Sequence, residues 1–109
     1  DQLFAQLKAI CVENENTSKD HPEQWETLAD FTEDLAEAVV GYKKALDKAL
    51  AVNSNDHISS IRFSMAKLQV ELGDTDAAMQ NLEAAKVSAN KIEDKALKVE
   101  IRELLDSLV

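Results

Sequence analysis

The chain has 109 residues, enough for one domain built on a single core. Its 45% hydrophobic content is too high for a disordered chain, and 2 Gly and 1 Pro are too few turn residues for an all-β fold. A formal net charge of −9 repels phosphate backbones and anionic bilayers, so neither nucleic acid nor a membrane surface is an expected partner.

The helices are expected in chain order from their apolar stripes. Leu3, Phe4, Leu7, Ile10 and Cys11 share one face of a helix over residues 2 to 13. NENTSKD (14 to 20) is a polar loop. Asp20 is placed to cap the next helix, with Pro22 in its first turn, where a missing N–H costs nothing. Trp25, Leu28, Thr32, Leu35, Val39, Tyr42, Leu46 and Ala49 then step by threes and fours without a break. NSND (53 to 56) ends that run, and Asp56 is placed to cap the helix after it. Ile58, Ile61, Met65, Leu68 and Leu72 form that helix's stripe, closed at Gly73. A helix bearing Ala78, Leu82, Ala85 and Ala89 comes after it, and a last stripe holds Leu97, Ile101, Leu104, Leu105 and Leu108. The junction between these two, around SANKIED, carries neither Gly nor Pro to fix its position.

Gly73 interrupts a stretch of strong helix formers, ELGDTDAAMQNLEAAK. A helix that stops there needs a residue in the left-handed conformation, which Gly adopts without a Cβ clash. Asp74 or Thr75 then offers a side-chain oxygen to the exposed N–H groups of the next helix. The two helices are expected to fold back on each other as an antiparallel hairpin.

A helix, a Leu-Gly-Asp turn and a second helix with Ala78, Leu82 and Ala85 resembles a tetratricopeptide repeat. In that family small residues let paired helices approach, and a larger one fills the gap. Ala66, Ala78 and Ala85 match the small positions, Leu82 matches the bulky one, and Met65 stands where Leu is frequent. The family's Tyr is replaced by Gln69 and its closing Pro by Asn90. A second, degenerate copy lies upstream: Trp25, Leu28 and Ala29 match the opening, and Leu46, Ala49 and Leu50 before NSND match the close. Between them the Gly-Asp turn is replaced by Leu35-Ala36-Glu37-Ala38. Propensity and stripe there favour one long helix over 22 to 52; a repeat that turns without its usual signal is the alternative.

The resemblance implies an all-α fold of antiparallel hairpins in a right-handed superhelix. Residues 1–21 form an N-terminal helix and loop, 22–56 the degenerate repeat, 57–92 the clearer repeat and 93–109 a capping helix. It also implies a scaffold whose first helices line a groove for a peptide or helix of another protein. On the helix over 57 to 72 that groove face takes in Ser59, Arg62, Phe63 and Lys67, the expected partner-binding residues. Some family members clamp a carboxylate with Lys, Asn and Arg on adjacent repeats, and a full clamp is not present here. A ligand with a basic or mixed-charge segment and an apolar anchor fits better.

Two side-chain groups admit two readings each. Residues 13 to 37 hold nine acids against one base, Lys19, which reads as a solvated face or as a dock for a basic partner. Phe31 and Phe63 lie off their stripes. They are either core against a third helix or part of a groove or dimer contact. A helical-bundle subunit that forms a homodimer through its stripes is the alternative to an interaction module.

Catalysis is not expected. His21 and His57 lie beside loops with no partner at metal-ligand spacing. DTD (74 to 76) and NSND lack the Gly and the distant Glu of a calcium loop, and no Gly-rich phosphate loop exists. Neither cofactor nor metal is anticipated. Cys11 is the lone cysteine and falls on an apolar stripe, which suits a reducing, cytoplasmic setting. No apolar run approaches the roughly 20 residues of a membrane span, and no signal peptide is visible. Asp1 is not a natural start, so a trimmed chain is the expectation.

Overall fold

Residues 22 to 52 are two helices rather than one. In the computed structural model, which describes residues 2–109, six α-helices run in order: α1 (Gln2–Asn14), α2 (Pro22–Asp30), α3 (Leu35–Ala51), α4 (Asn55–Glu71), α5 (Thr75–Ala89) and α6 (Lys95–Leu108). There is no strand among the described residues, so the fold is all-α. No helix there is long and apolar enough to cross a membrane.

The long-helix expectation fails at Phe31-Thr32-Glu33-Asp34. Thr32 turns its hydroxyl back to donate to Leu28 O at 2.8 Å, a local bond that competes with helix continuation. Asp34 then accepts from Glu37 N at 2.9 Å and caps α3. Asp-x-x-Glu is a start signal of the capping-box kind, and here it outweighs the propensity of the Leu-Ala-Glu-Ala run beside it.

Four other ends are settled, two by left-handed backbone turns and two by side-chain caps. Gly73 has φ +81°; its N–H donates to Val70 O at 3.1 Å, and Asp74 N–H donates to Gln69 O at 2.8 Å. That pair of bonds is a Schellman stop. Asn53, at φ 54°, closes α3 the same way, with Asn53 N–H to Leu50 O and Ser54 N–H to Ala49 O. Asn is the non-glycine residue that tolerates this conformation best. Asp74 caps α5 through Ala77 N, as expected, and Asp94 caps α6 through Leu97 N, which fixes the junction in SANKIED. Two expected caps are corrected. The residue before α2 is His21, not Asp20, and Ser54, not Asp56, precedes α4.

The α4–α5 and α2–α3 pairs form antiparallel hairpins. On α4 and α5, Ser59 meets Ser88 while Gln69 meets Asn81, so numbering falls on one helix as it rises on the other. Ala66, Ala78, Leu82 and Ala85 are fully buried in this contact, and the absence of bulk at the three alanines lets the helix axes approach. The α2–α3 hairpin uses Ala29 and Gly41 instead. A Cβ built on Gly41 would lie 3.2 Å from Ala29 Cβ.

Helix α4 sits between two cores. Ile58, Ile61 and Met65 join Cys11, Trp25, Leu28 and Tyr42 in the first. Phe63 and Ala66 join Ala78, Leu82, Ile101 and Leu105 in the second. A helix buried on two faces explains why Phe63 lies off the stripe. The α1 stripe is narrower than its sequence suggests: Cys11 is buried, with Phe4 and Leu7 packed against the first core, whereas Leu3 and Ile10 are exposed. Leu72, the C-cap of α4, and Leu50, near the end of α3, are exposed as well.

Candidate functional site

The four residues expected to line a groove do not form one open surface. Ser59 is 0% exposed, its hydroxyl donating to Ser88 Oγ at 2.8 Å. Phe63 is 8% exposed, within the second core. Lys67 lies outside that ring, with Nζ 4.8 Å from its centroid, where the ammonium meets the negative face of the π system. Arg62 Nη1 donates to Asn81 Oδ1 at 3.1 Å. Packing of α5 against α4 is the physical reason: it takes Ser59 and Phe63 for the core, while Arg62 is left half-buried and Lys67 exposed.

On another side of the molecule α2, α4 and α6 frame a cleft of about 390 Å³ that includes Glu26, Asp56, His57, Asp94 and Glu100. Its polar groups are partly engaged. Ser60 Oγ donates to Glu26 Oε2 at 2.7 Å, and His57 Nδ1 is 3.5 Å from Glu26 Oε1. Nearby, Tyr42 donates its hydroxyl to Asp30 Oδ1. Burial raises the Tyr42 pKa, and the Asp30 carboxylate raises it further. Among the described residues no group of three His, Cys, Asp or Glu side chains is placed to hold a metal ion.

The acidic 13–37 segment divides into a paired part and an open part. Lys48 Nζ lies 2.9 Å from Asp20 Oδ2, and Lys44 Nζ 2.8 Å from Glu15 Oε2. Lys44 also stands over the Trp25 ring at 4.5 Å. The Lys44 hydrogen bond holds the Glu15 pKa below the usual carboxylate range, and the Asp20 hydrogen bond raises the Lys48 pKa. Glu33 and Glu37, by contrast, have no cation within ion-pair distance among the described residues.

These open acids rim an apolar depression where α1, α2 and α3 meet. Phe4, Phe31 and Thr32 line one part of it, about 440 Å³ in volume, together with Glu33, Asp34 and Glu37. An adjoining part of about 380 Å³ shares Phe4, Thr32 and Glu37 and adds Leu28, Ala29, Val40, Gly41 and one cation, Lys8. Phe31 is 67% exposed and Val40 66%, so two sizeable apolar side chains meet water on either side of this hollow. Phe31 is therefore not core, although the two off-stripe phenylalanines read alike in sequence. The α2–α3 turn carries Phe31 outward, while α4 carries Phe63 in. Val40 comes directly after Val39 and sits one helical step off the buried face. The sequence carries only part of a signal for this surface: Glu33 and Glu37 flank the FTED break beside Phe31, but Phe31 is one of two aromatics off their stripes and nothing local separates it from Phe63. No protein-family model matches the chain, and neither does any curated protein or any solved structure.

Proposed function

We propose that the chain is a protein-interaction module of the tetratricopeptide-like kind, its hairpins stacked in a right-handed superhelix, working by binding rather than catalysis. Its ligand is a peptide or helix of a partner protein that sets an apolar anchor between basic side chains. The observation that carries this reading is the exposure of Phe31 and Val40 beside Glu33 and Glu37. Covering an aromatic or aliphatic side chain of this size is worth about 1.5–3 kcal/mol when burial is complete. Lys or Arg residues on the partner add orientation and a faster encounter more than affinity, since exposed ion pairs contribute about 0–1 kcal/mol. The buried, free Cys11 agrees with a reducing compartment such as the cytoplasm.

A homodimer through the same patch is the weaker reading. A two-fold contact places a patch against its own copy, which would bring Glu33 and Glu37 of both chains together with Lys8 as the one lining cation of each copy. A basic partner meets no such repulsion. The test uses a synthetic amphipathic helix with a Leu/Phe stripe and Lys/Arg flanks, beside a scrambled peptide of the same composition. Backbone amide shifts mapped by NMR should move around Phe31, Thr32 and Val40 with the first peptide only, and Phe31→Ser or Glu37→Lys should abolish or weaken the response. Equal shifts with the scrambled peptide, or shifts mapping to another face, would overturn the reading. A dimer in sedimentation that Phe31→Ser dissolves would favour the homodimer instead.

A further inference from the structure

Arg62 is a half-buried cation with no anion. Among the described residues no carboxylate lies within 4.0 Å of its guanidinium, and its one hydrogen bond goes to the neutral Asn81 Oδ1. The chain has 21 acids against 12 Lys and Arg, yet the partial burial of this guanidinium is met by an amide oxygen alone. Burial pushes the Arg62 pKa down, as it does for a charge that lacks compensation.

The guanidinium opens on a cleft of about 310 Å³ between α3, α4 and α5. Its polar lining consists of Lys43, Arg62, Gln69, Gln80 and Asn81, two cations and three amides, with no acid. Lys43 likewise has no ion pair among the described residues. The amide beside Arg62 is held in place. Asn81 Nδ2 donates to Gln69 Oε1 at 2.7 Å and lies 3.5 Å from Met65 Sδ, which leaves Oδ1 to accept the hydrogen bond from Arg62 Nη1. One arm of the guanidinium is thus fixed, and four further N–H donors of the fork remain for a ligand.

We propose that this cleft is a binding site for a small oxyanion, a carboxylate or phosphate group, gripped by the Arg62 fork and neutralised by Lys43. It is separate from the apolar depression and does not depend on the peptide-binding reading. The chemistry of the lining selects the class. Arg meets planar or tetrahedral oxyanions with paired N–H bonds, Lys supplies a point charge, and a fixed amide orients without adding charge. The net charge of −9 opposes any anion at long range, so only a ligand small enough to reach both cations at once gains from entering. A cleft of this volume accommodates such a group.

The test titrates the intact chain with inorganic phosphate, succinate and chloride at constant ionic strength, following the Arg62 Nε–H and the Asn81 and Gln80 side-chain amides by NMR. Saturable shifts with phosphate or with succinate, and not with chloride, are expected, and the tighter of the two identifies the oxyanion. Arg62→Gln should weaken binding by about tenfold or more, as loss of charged hydrogen bonds does. Lys43→Gln, at an exposed position, should weaken it less and leave the melting temperature unchanged. Arg62→Lys keeps the charge without the fork and should fall between. A rise in melting temperature with the bound anion, absent in Arg62→Gln, gives a second readout. Absence of a response to both oxyanions, an equal response to chloride, or binding that survives Arg62→Gln unchanged would overturn the assignment.

Discussion

Trp25 donates its indole N–H to Asp20 Oδ1 at 2.7 Å, a bond that fixes a core aromatic to the loop before its own helix. The same carboxylate accepts Asn16 N–H at 2.7 Å and faces Lys48 at 2.9 Å. Asp20 therefore anchors the loop of residues 15 to 21 instead of capping α2, and it ties α1 to α3 through that loop.

The first prediction concerns pH. Burial pushes the Asp20 pKa up, but the bonds from Asn16, Lys48 and Trp25 outweigh it and hold the group below the usual carboxylate range. Linkage sets the sign. The unfolded chain takes up the proton first, near the ordinary Asp value of about 3.9, so the stabilisation is present above that pH and lost as pH falls through the lower folded value. Glu15 shifts in the same direction through Lys44. Urea midpoints should fall below about pH 4 in the wild type. Asp20→Asn should be less stable at pH 7 and show a shallower acid slope. Parallel curves for the two proteins would remove Asp20 from this role.

The second prediction concerns the two left-handed turns. At Gly73 nothing lies within 4 Å of where a Cβ would stand, so any cost of substitution is backbone strain alone. Gly73→Val should destabilise by about 1–2 kcal/mol or more, and Gly73→Asn by less, since Asn already serves at Asn53 with φ 54°. Asn53→Gly should be close to neutral. Thermal melts of the three variants decide it, and equal losses for Val and Asn at position 73 would contradict a strain-only account.

The third prediction concerns Ser59 and Ser88, which meet inside the α4–α5 contact. Ser88 also donates to Ala84 O and Ala85 O, at 3.3 and 3.2 Å. Ser88→Ala removes the acceptor of the Ser59 hydroxyl and leaves it buried without a partner, at a cost of about 1–3 kcal/mol. Replacing both serines by Ala removes donor and acceptor together and should recover most of that loss. A double-mutant cycle in urea measures the coupling. Additive effects would mean that the pair does not interact.

What the sequence discloses here depends on how local the deciding physics is. The turn at Gly73, the cap at Asp74 and the small contacts at Ala66, Ala78 and Ala85 are set by residues close in sequence, and each can be read from the chain. The break at Asp34 was legible too, in Asp-x-x-Glu, but an unbroken stripe from Trp25 to Ala49 hid it. Gly41 gave no signal, because its role depends on Ala29 across the hairpin. The fate of Ser59, Phe31 and Phe63 was not legible, since it depends on which helices cover α2 and α4. Periodicity marks one buried face of a helix, and α4 has two.

The last prediction sets the two phenylalanines against each other. Phe63 packs with Ala66, Leu82, Ile101 and Leu105 in the second core. Phe63→Ala should cost about 3–5 kcal/mol, the usual range for truncating a buried aromatic. Binding lost in that variant would then report on folding and not on a ligand surface. Phe31→Ala removes a ring that is 67% exposed and should change stability by less than about 0.5 kcal/mol, as exposed substitutions usually do. Its effect should fall on capture of the amphipathic peptide instead. Urea denaturation of both variants, read beside peptide titration, separates the two roles. A Phe63→Ala protein as stable as wild type would move that ring out of the core, and a Phe31→Ala protein that unfolds would move this one in.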